Sequence, residues 1–182
     1  MCGRYTLSSK GDELALMFDL TEVPAVVPRY NLAPTQEAAV VRVERAGAPR
    51  HLDLLRWGLI PYWAKEASIG NRMINARSES VAEKPSFRAA LRYKRCLVPC
   101  DGFYEWTGPA RARRPHMARP RDGGLMGLAA IYENWLGADG SEIETMAILT
   151  TASNGAMAAL QVWRLAEAPA GALVSRPCSA AP

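Results

Sequence analysis

The chain has 182 residues, 49% hydrophobic and 22% charged, which suits one globular domain with a real core. No window approaches the ~20 apolar residues of a membrane span, and the first ten residues lack the apolar centre of a secretory signal, so a cytoplasmic protein is expected. The net charge of +4, from 22 basic and 18 acidic residues, permits an anionic partner without demanding one.

In chain order, the first predicted element is a helix from Ser9 to Phe18. Leu14, Met17 and Phe18 share one face, and Asp12 and Glu13 sit in the first turn, where they complement the dipole. Pro24, Pro28 and Pro34 then break the chain, and "VPRYNLAPTQ" is expected to be an ordered loop. "AAVVRV" reads as a strand, ended by Gly47 and Pro49. "HLDLLRWGLIPYW" reads as a strand running into a loop. Ser80 and Glu83 have capping-box spacing. Ser86 is placed to cap a short helix with Phe87, Ala90 and Leu91 inward.

"RCLVP" is a further strand, and Asp101-Gly102 is a turn signal before "FYEW". "PARARRPHMARPRDGG" is a basic, proline-broken loop, expected at a hairpin tip. "LMGLAAIYENW" and "ETMAILTTAS" complete the strands. Strands outnumber helices and short turns join them. The expected fold class is therefore α+β, one domain with a mostly antiparallel sheet. After Leu160 the sequence turns aperiodic and rich in Ala and Pro. Residues 1–160 are expected to form the domain and 161–182 a poorly ordered tail.

The four cysteines, Cys2, Cys96, Cys100 and Cys178, do not form a disulfide framework for a reducing compartment. Cys96 and Cys100 form a C-x3-C pair with no second ligand pair, so buried thiols are expected and no metal site. No phosphate-cradling G-x-x-x-x-G-K loop occurs.

Several residues could carry chemistry, each with a plainer alternative. Cys2, exposed as the first residue by removal of Met1, would present an α-amine and a thiol side by side; the alternative is a frayed end. Glu105 shares a strand face with Phe103. If that face is buried its carboxyl pKa rises toward the range of a general acid or base; otherwise it is an exposed polar position. In "MINARSES", Asn75, Arg77 and Glu79 alternate and would point the same way from an extended segment, or sit in an ordinary loop. Trp57, Tyr62 and Trp63 beside arginines suit base stacking, or a hydrophobic core. The arginines of 111–121 suit no more than a solvated loop.

"MCGRYT", "RYNLAP", "WGLIPYWA", "INARSE" and "CDGFYEW" occur in the order and rough spacing of the SOS-response-associated peptidase (SRAP) family. The sequence resembles that family from Met1 to about Met157. The resemblance implies a barrel-like core with a few short helices. It also implies a protein of DNA damage repair that recognises abasic sites in single-stranded DNA; a monomer without a cofactor is expected. The family crosslinks to the abasic sugar through the N-terminal cysteine, here Cys2. It further implies that Asn75 positions Cys2 and that Glu105 moves protons. Arg4 and Arg77 would grip flanking phosphates, and Pro34 and Trp63 would shape the DNA. The peptidase in the family name is read as autocatalytic removal of Met1. On DNA the protein would be nucleoid-associated.

The chain departs from the family after "ILTTASNGAMA". The family continues with a segment like I-H-D-R-M-P. Here "ALQVWRLAEAPAG" follows, and the family histidine falls near Leu160. A truncated or frameshifted C-terminus is expected. Loss of a proton-transfer group slows a reaction by ~10²–10⁴, so crosslinking is expected to persist while its reversal suffers more. Two rival readings remain. One is a hydrolase using the Cys2 thiol on peptides; the other is a non-covalent single-stranded DNA-binding module.

Overall fold

A computed structural model describes residues 3–45, 47–109 and 111–152, and the backbone of Arg164–Leu165. Cys2, Leu160 and Cys178, and with them most of the expected tail, lie outside the described residues.

The first strand, β1 (Arg4–Leu7), leads into helix α1 (Gly11–Phe18), which buries Leu14 and Phe18 as its apolar spacing predicts. The Lys10 N–H donates to Glu13 Oε2 at 2.8 Å and closes the first turn. Asp19 ends the helix in the left-handed region, at φ 53°. The expected loop after it contains a strand, β2 (Arg29–Leu32). Pro28 and Pro34 flank these four residues without entering them, and β2 lies at a sheet edge, where one side needs no ladder bonds.

Strands β3 (Glu37–Arg42) and β4 (His51–Trp57) form an antiparallel pair. A 3-10 turn (Ala67–Arg72) and the short strand β5 (Asn75–Arg77) follow. The Ser80–Glu83 spacing makes no helix. Pro85 disfavours helical backbone at Lys84, and the segment is a run of turns with Glu83 N–H on Ser80 O. Helix α2 (Arg88–Tyr93) begins after Phe87, and Ser86 does not cap it. Phe87 and Ala90 are buried and Leu91 is half-buried.

The remaining described elements are strands β6 (Arg95–Cys100), β7 (Gly102–Thr107), β8 (Arg114–Ala118), β9 (Met126–Leu136), β10 (Glu142–Thr151) and β11 (Arg164–Leu165). β10 pairs with β4 in parallel and with β9 antiparallel. β9 pairs with β6, β6 with β3 and β3 with β4. The circuit β10-β4-β3-β6-β9 therefore closes on itself as a five-stranded barrel, which removes its sheet edges. Beside it stands a four-stranded antiparallel sheet in the order β2-β1-β7-β8. The α+β class with a barrel core holds. The Asp101-Gly102 turn is a change of sheet rather than a hairpin: β6 belongs to the barrel and β7 to the second sheet. The Asp101 carboxylate fixes the corner by accepting from the backbone and hydroxyl of Ser8 and from the hydroxyl of Ser9.

One core cluster fills the barrel and the space under β1, with Tyr5, Val40, Leu55, Trp57, Leu97, Leu128, Met146 and Ile148 among its members. A second, around Leu59, Ala76, Phe87, Ala90, Ile131 and Ala147, covers the outside of β9 and β10 with α2 and β5. Cys96 and Cys100 are buried as expected, and burial pushes the Cys96 thiol up to about 12. Arg42 is held bidentately by Glu144 at 2.7 and 2.9 Å and by Asp53 at 2.6 Å, with its guanidinium 4.9 Å from the Tyr132 ring centre. Among the described residues no helix is long and apolar enough to cross a membrane.

Trp57 joins the two layers. Its ring meets Tyr5 of β1 edge-on, with centroids 5.3 Å apart, and its Nε1 donates to Ile74 O at 2.8 Å. Trp57→Ala should lower unfolding stability by about 3–5 kcal/mol, read by urea denaturation, because it opens a large cavity and orphans that carbonyl.

Candidate active site

The site is built where β1 lies on β7. Arg4 pairs with Tyr104, Tyr5 with Phe103 and Thr6 with Gly102. Gly3 precedes β1 directly and is half-buried.

Period 2 puts Glu105 on the face of Phe103, and Tyr5 decides that this face is inward: Tyr5 is 0% exposed, Phe103 5% and Glu105 3%. The buried reading of Glu105 is therefore the correct one. Burial lifts its carboxyl above the ordinary carboxylate range, while the Trp106 N–H bonded to it works the other way. A buried carboxyl whose neutral form is favoured in this way can serve as a proton donor.

Asn75 is half-buried on β5, which pairs in parallel with β10 through Ile148–Asn75, Leu149–Ala76 and Thr150–Arg77. Ser78 N–H on Thr150 O and Ile148 N–H on Ile74 O hold both ends of the strand. The Trp57 indole bonds the residue before Asn75 and touches the Tyr5 ring, so one side chain links the Asn75 strand to β1. Arg77 follows on the same strand and is exposed. Glu79, expected on the same side, lies in the turn beyond β5. It accepts from Thr151 Oγ1 at 3.3 Å and Ala152 N–H at 3.0 Å, which makes it an anchor of that turn.

On the opposite face of β1 and β7 from Glu105 lie Arg4, Tyr104 and Trp106. Arg4 donates to Asn31 Oδ1 at 2.9 Å, which aims it across β2, and the Tyr104 hydroxyl donates to Tyr30 O at 3.2 Å. Pro34 is half-buried and sits just before Thr35, whose backbone is left-handed at φ 72°. Thr35 N–H donates to Trp57 O at 2.8 Å, so the Pro34 turn rests on the same tryptophan.

The aromatic trio divides. Trp57 is core, whereas Tyr62 is 63% and Trp63 48% exposed. Gly58 makes the separation. At φ 133°, with a Cβ there only 2.6 Å from Gly70 O, no other residue fits, and the chain leaves β4 at once toward the surface. Trp135 Nε1 on Ala64 O at 2.7 Å then fixes the loop that presents Trp63. An exposed tryptophan on an anchored loop can stack on a base.

Sequence reasoning missed one pair on the Glu105 face. The β7–β8 register sets His116 opposite Glu105, and its Nε2 lies 2.8 Å from Thr107 Oγ1. The alternation of 105 and 107 was visible, but the partner across the hairpin depends on a turn whose length the sequence does not fix.

The profile of the family described as SOS response associated peptidase (SRAP) matches residues 1–163. The chain belongs to the SRAP family. The match runs past Met157, so the Leu160 position falls inside it although outside the described residues. The chain is 40% identical over 161 residues to the abasic site processing protein YoqW of Bacillus subtilis, covering 86% of this chain and 71% of that one. It is 33% identical over 99 residues to the abasic site processing protein HMCES of Xenopus tropicalis, covering 49% and 30%. Its fold matches a crystal structure of a protein from Bacteroides thetaiotaomicron with a TM-score of 0.74 at 26% identity, over 86% of this chain and 71% of that one.

Proposed function

We infer that this SRAP protein processes abasic sites in DNA and does so by covalent capture of the abasic aldehyde on Cys2, with single-stranded DNA as the substrate form. The observation that carries the reading is the β1–β7 register, which lays β1 against the strand that carries the buried Glu105. The relatives named as abasic site processing proteins support the substrate class.

The chemistry follows from the residues. Removal of Met1 frees the α-amine of Cys2. An α-amine has a pKa near 7.7–8.0 against about 10.4 for lysine, so far more of it is neutral at pH 7. The open abasic sugar carries an aldehyde. The amine adds to its carbon, and Glu105 donates a proton to the departing hydroxyl, which leaves as water and gives an imine. The thiol of the same residue adds to the imine carbon, its proton passing to nitrogen. The product is a thiazolidine, formed with loss of one water in total. Both nucleophiles sit on one residue, so the second addition is intramolecular and has a high effective concentration.

The remaining roles are proposals of the same kind. Asn75 positions the amine through its side-chain amide, Arg4 and Arg77 hold phosphates beside the lesion, and Pro34 and Trp63 shape the DNA. Autocatalytic removal of Met1 is the activity the family name suggests. The lack of a histidine at Leu160 is expected to slow the chemistry. Asn75→Ala should slow adduct formation by about 10²-fold while leaving binding of lesion-free DNA unchanged, because it misplaces a reacting group without touching the polymer. A denaturing-gel time course with an abasic single-stranded oligonucleotide, beside an anisotropy titration, checks both halves. An unaltered rate would remove Asn75 from the site. Turnover of a peptide substrate with no adduct would favour the hydrolase instead.

A further inference from the structure

The stretch 108–121 contains Arg111, Arg113, Arg114, Arg119 and Arg121 and no acidic residue. The chain has 22 basic residues and 18 acidic; without these five, 17 basic residues face 18 acidic. The positive excess of the protein therefore sits on the β7–β8 hairpin and the segment that directly follows it. All five arginines are exposed, and among the described residues none of the five side chains is held in a hydrogen bond or ion pair.

Their place in the fold matters as much as their number. β8 is the outer edge of the second sheet. Arg114 pairs with Thr107 and His116 with Glu105, so Arg114 and His116 lie on the Glu105 face of the hairpin. The arginines also straddle that pair. At about 3.3 Å per residue, Arg114 lies about 7 Å from His116 toward the tip, and Arg119 about 10 Å the other way. A polyanion laid along β8 would cross the Glu105 position. An edge strand needs charge or proline to resist pairing with another chain, and Pro115 with a charge or two of either sign would meet that need. Five charges of one sign, with no partners, exceed it.

We propose that the β7–β8 hairpin is an electrostatic arm that holds phosphates of the DNA strand beyond those touching the abasic residue, and so lengthens the footprint of the protein on DNA. The identity of the polymer rests on the abasic-site reading; the existence of a phosphate-binding arm does not.

The test uses the full chain and lesion-free single-stranded oligonucleotides of about 6 and about 20 nucleotides, spanning the usual range of site sizes. Each phosphate neutralised on a single strand contributes about 0.7 to the slope of log affinity against log salt. Changing all five arginines to glutamine should make that slope shallower by about 3.5 on the longer strand, and by less on the shorter one. Arg111→Gln with Arg113→Gln, at the tip, should make it shallower by about 1.4, and this milder variant decides if the fivefold one fails to fold. An unchanged slope in a folded variant overturns the arm. So does loss of binding to vesicles rich in anionic lipid with no change on DNA, which would assign the hairpin to a membrane surface. Crosslinking of a short abasic oligonucleotide at saturating concentration is measured in parallel and should be retained. If the wild-type chain makes no crosslink, the abasic-site reading fails, and the slopes still decide the arm.

Discussion

Cys2→Ala should abolish the heat-stable adduct with abasic single-stranded DNA, lowering its yield by more than about 10³-fold. Alanine at this position still frees an α-amine, so an imine can form and reverse. Without the thiol no ring can close, and the imine hydrolyses when the protein is denatured. The expected pattern is no shifted band in a denaturing gel, with a band restored by borohydride, which reduces the imine to a stable amine. That pattern separates the two nucleophiles of one residue. A peptidase acting through the Cys2 thiol would lose peptide cleavage instead and show no dependence on the lesion. A non-covalent binding module would show no band in either protein and the same affinity in both.

Glu105→Gln should slow adduct formation by about 10²–10⁴-fold, the usual contribution of a placed proton donor or acceptor. It should also leave the protein at least as stable as the wild type at neutral pH. The sign follows from burial. Glu105 is 3% exposed and its carboxyl is lifted above its ordinary value, chiefly by desolvation. The folded state therefore binds the proton more tightly than the unfolded state does. Stability falls as pH rises from the ordinary carboxylate value through the raised one, because folding must then hold a buried negative charge. Glutamine has no charge to hold, so its melting temperature should lack that fall. The inflection that Glu105 imposes on the pH–rate profile should vanish with it. A variant that lost rate and stability together would mark Glu105 as a structural residue.

Much of the fold could be read locally. The spacing of Leu14, Met17 and Phe18 predicts α1, and the runs "AAVVRV", "RCLVP" and "ETMAILTT" predict β3, β6 and β10, because each carries its own period and its own breakers. Barrel closure was not legible in the residues themselves. It depends on β10 pairing with β4 and β9 together, and a pairing distant along the chain leaves no mark within either strand. The same limit hid the change of sheet at Asp101, where a turn signal is identical whether the chain folds back or crosses over. β2 is a strand where the prolines predict a loop, because prolines on both flanks say nothing about the four residues between them.

The site shows the same division. Alternation placed Glu105 with Phe103, but only Tyr5 packing on Trp57 decides which face is buried. Trp57, Tyr62 and Trp63 are close in sequence and have two different fates, set by the backbone of Gly58. Glu79 fits the alternation of "NARSE" yet leaves it, since β5 ends at Arg77. The motifs carried the family, and the family profile extends over 1–163, but the geometry that buries Glu105 belongs to the three-dimensional structure.

Intact-mass spectrometry of the full chain mixed with a single-stranded oligonucleotide bearing one abasic site, without any reductant, tests the central claim most directly. The account predicts one adduct whose mass is that of the chain lacking Met1 plus the oligonucleotide less one water, and a tryptic digest that places the linkage on Cys2. A chain that has lost Met1 and is folded, yet yields no adduct, or one whose adduct maps to a lysine, would contradict it.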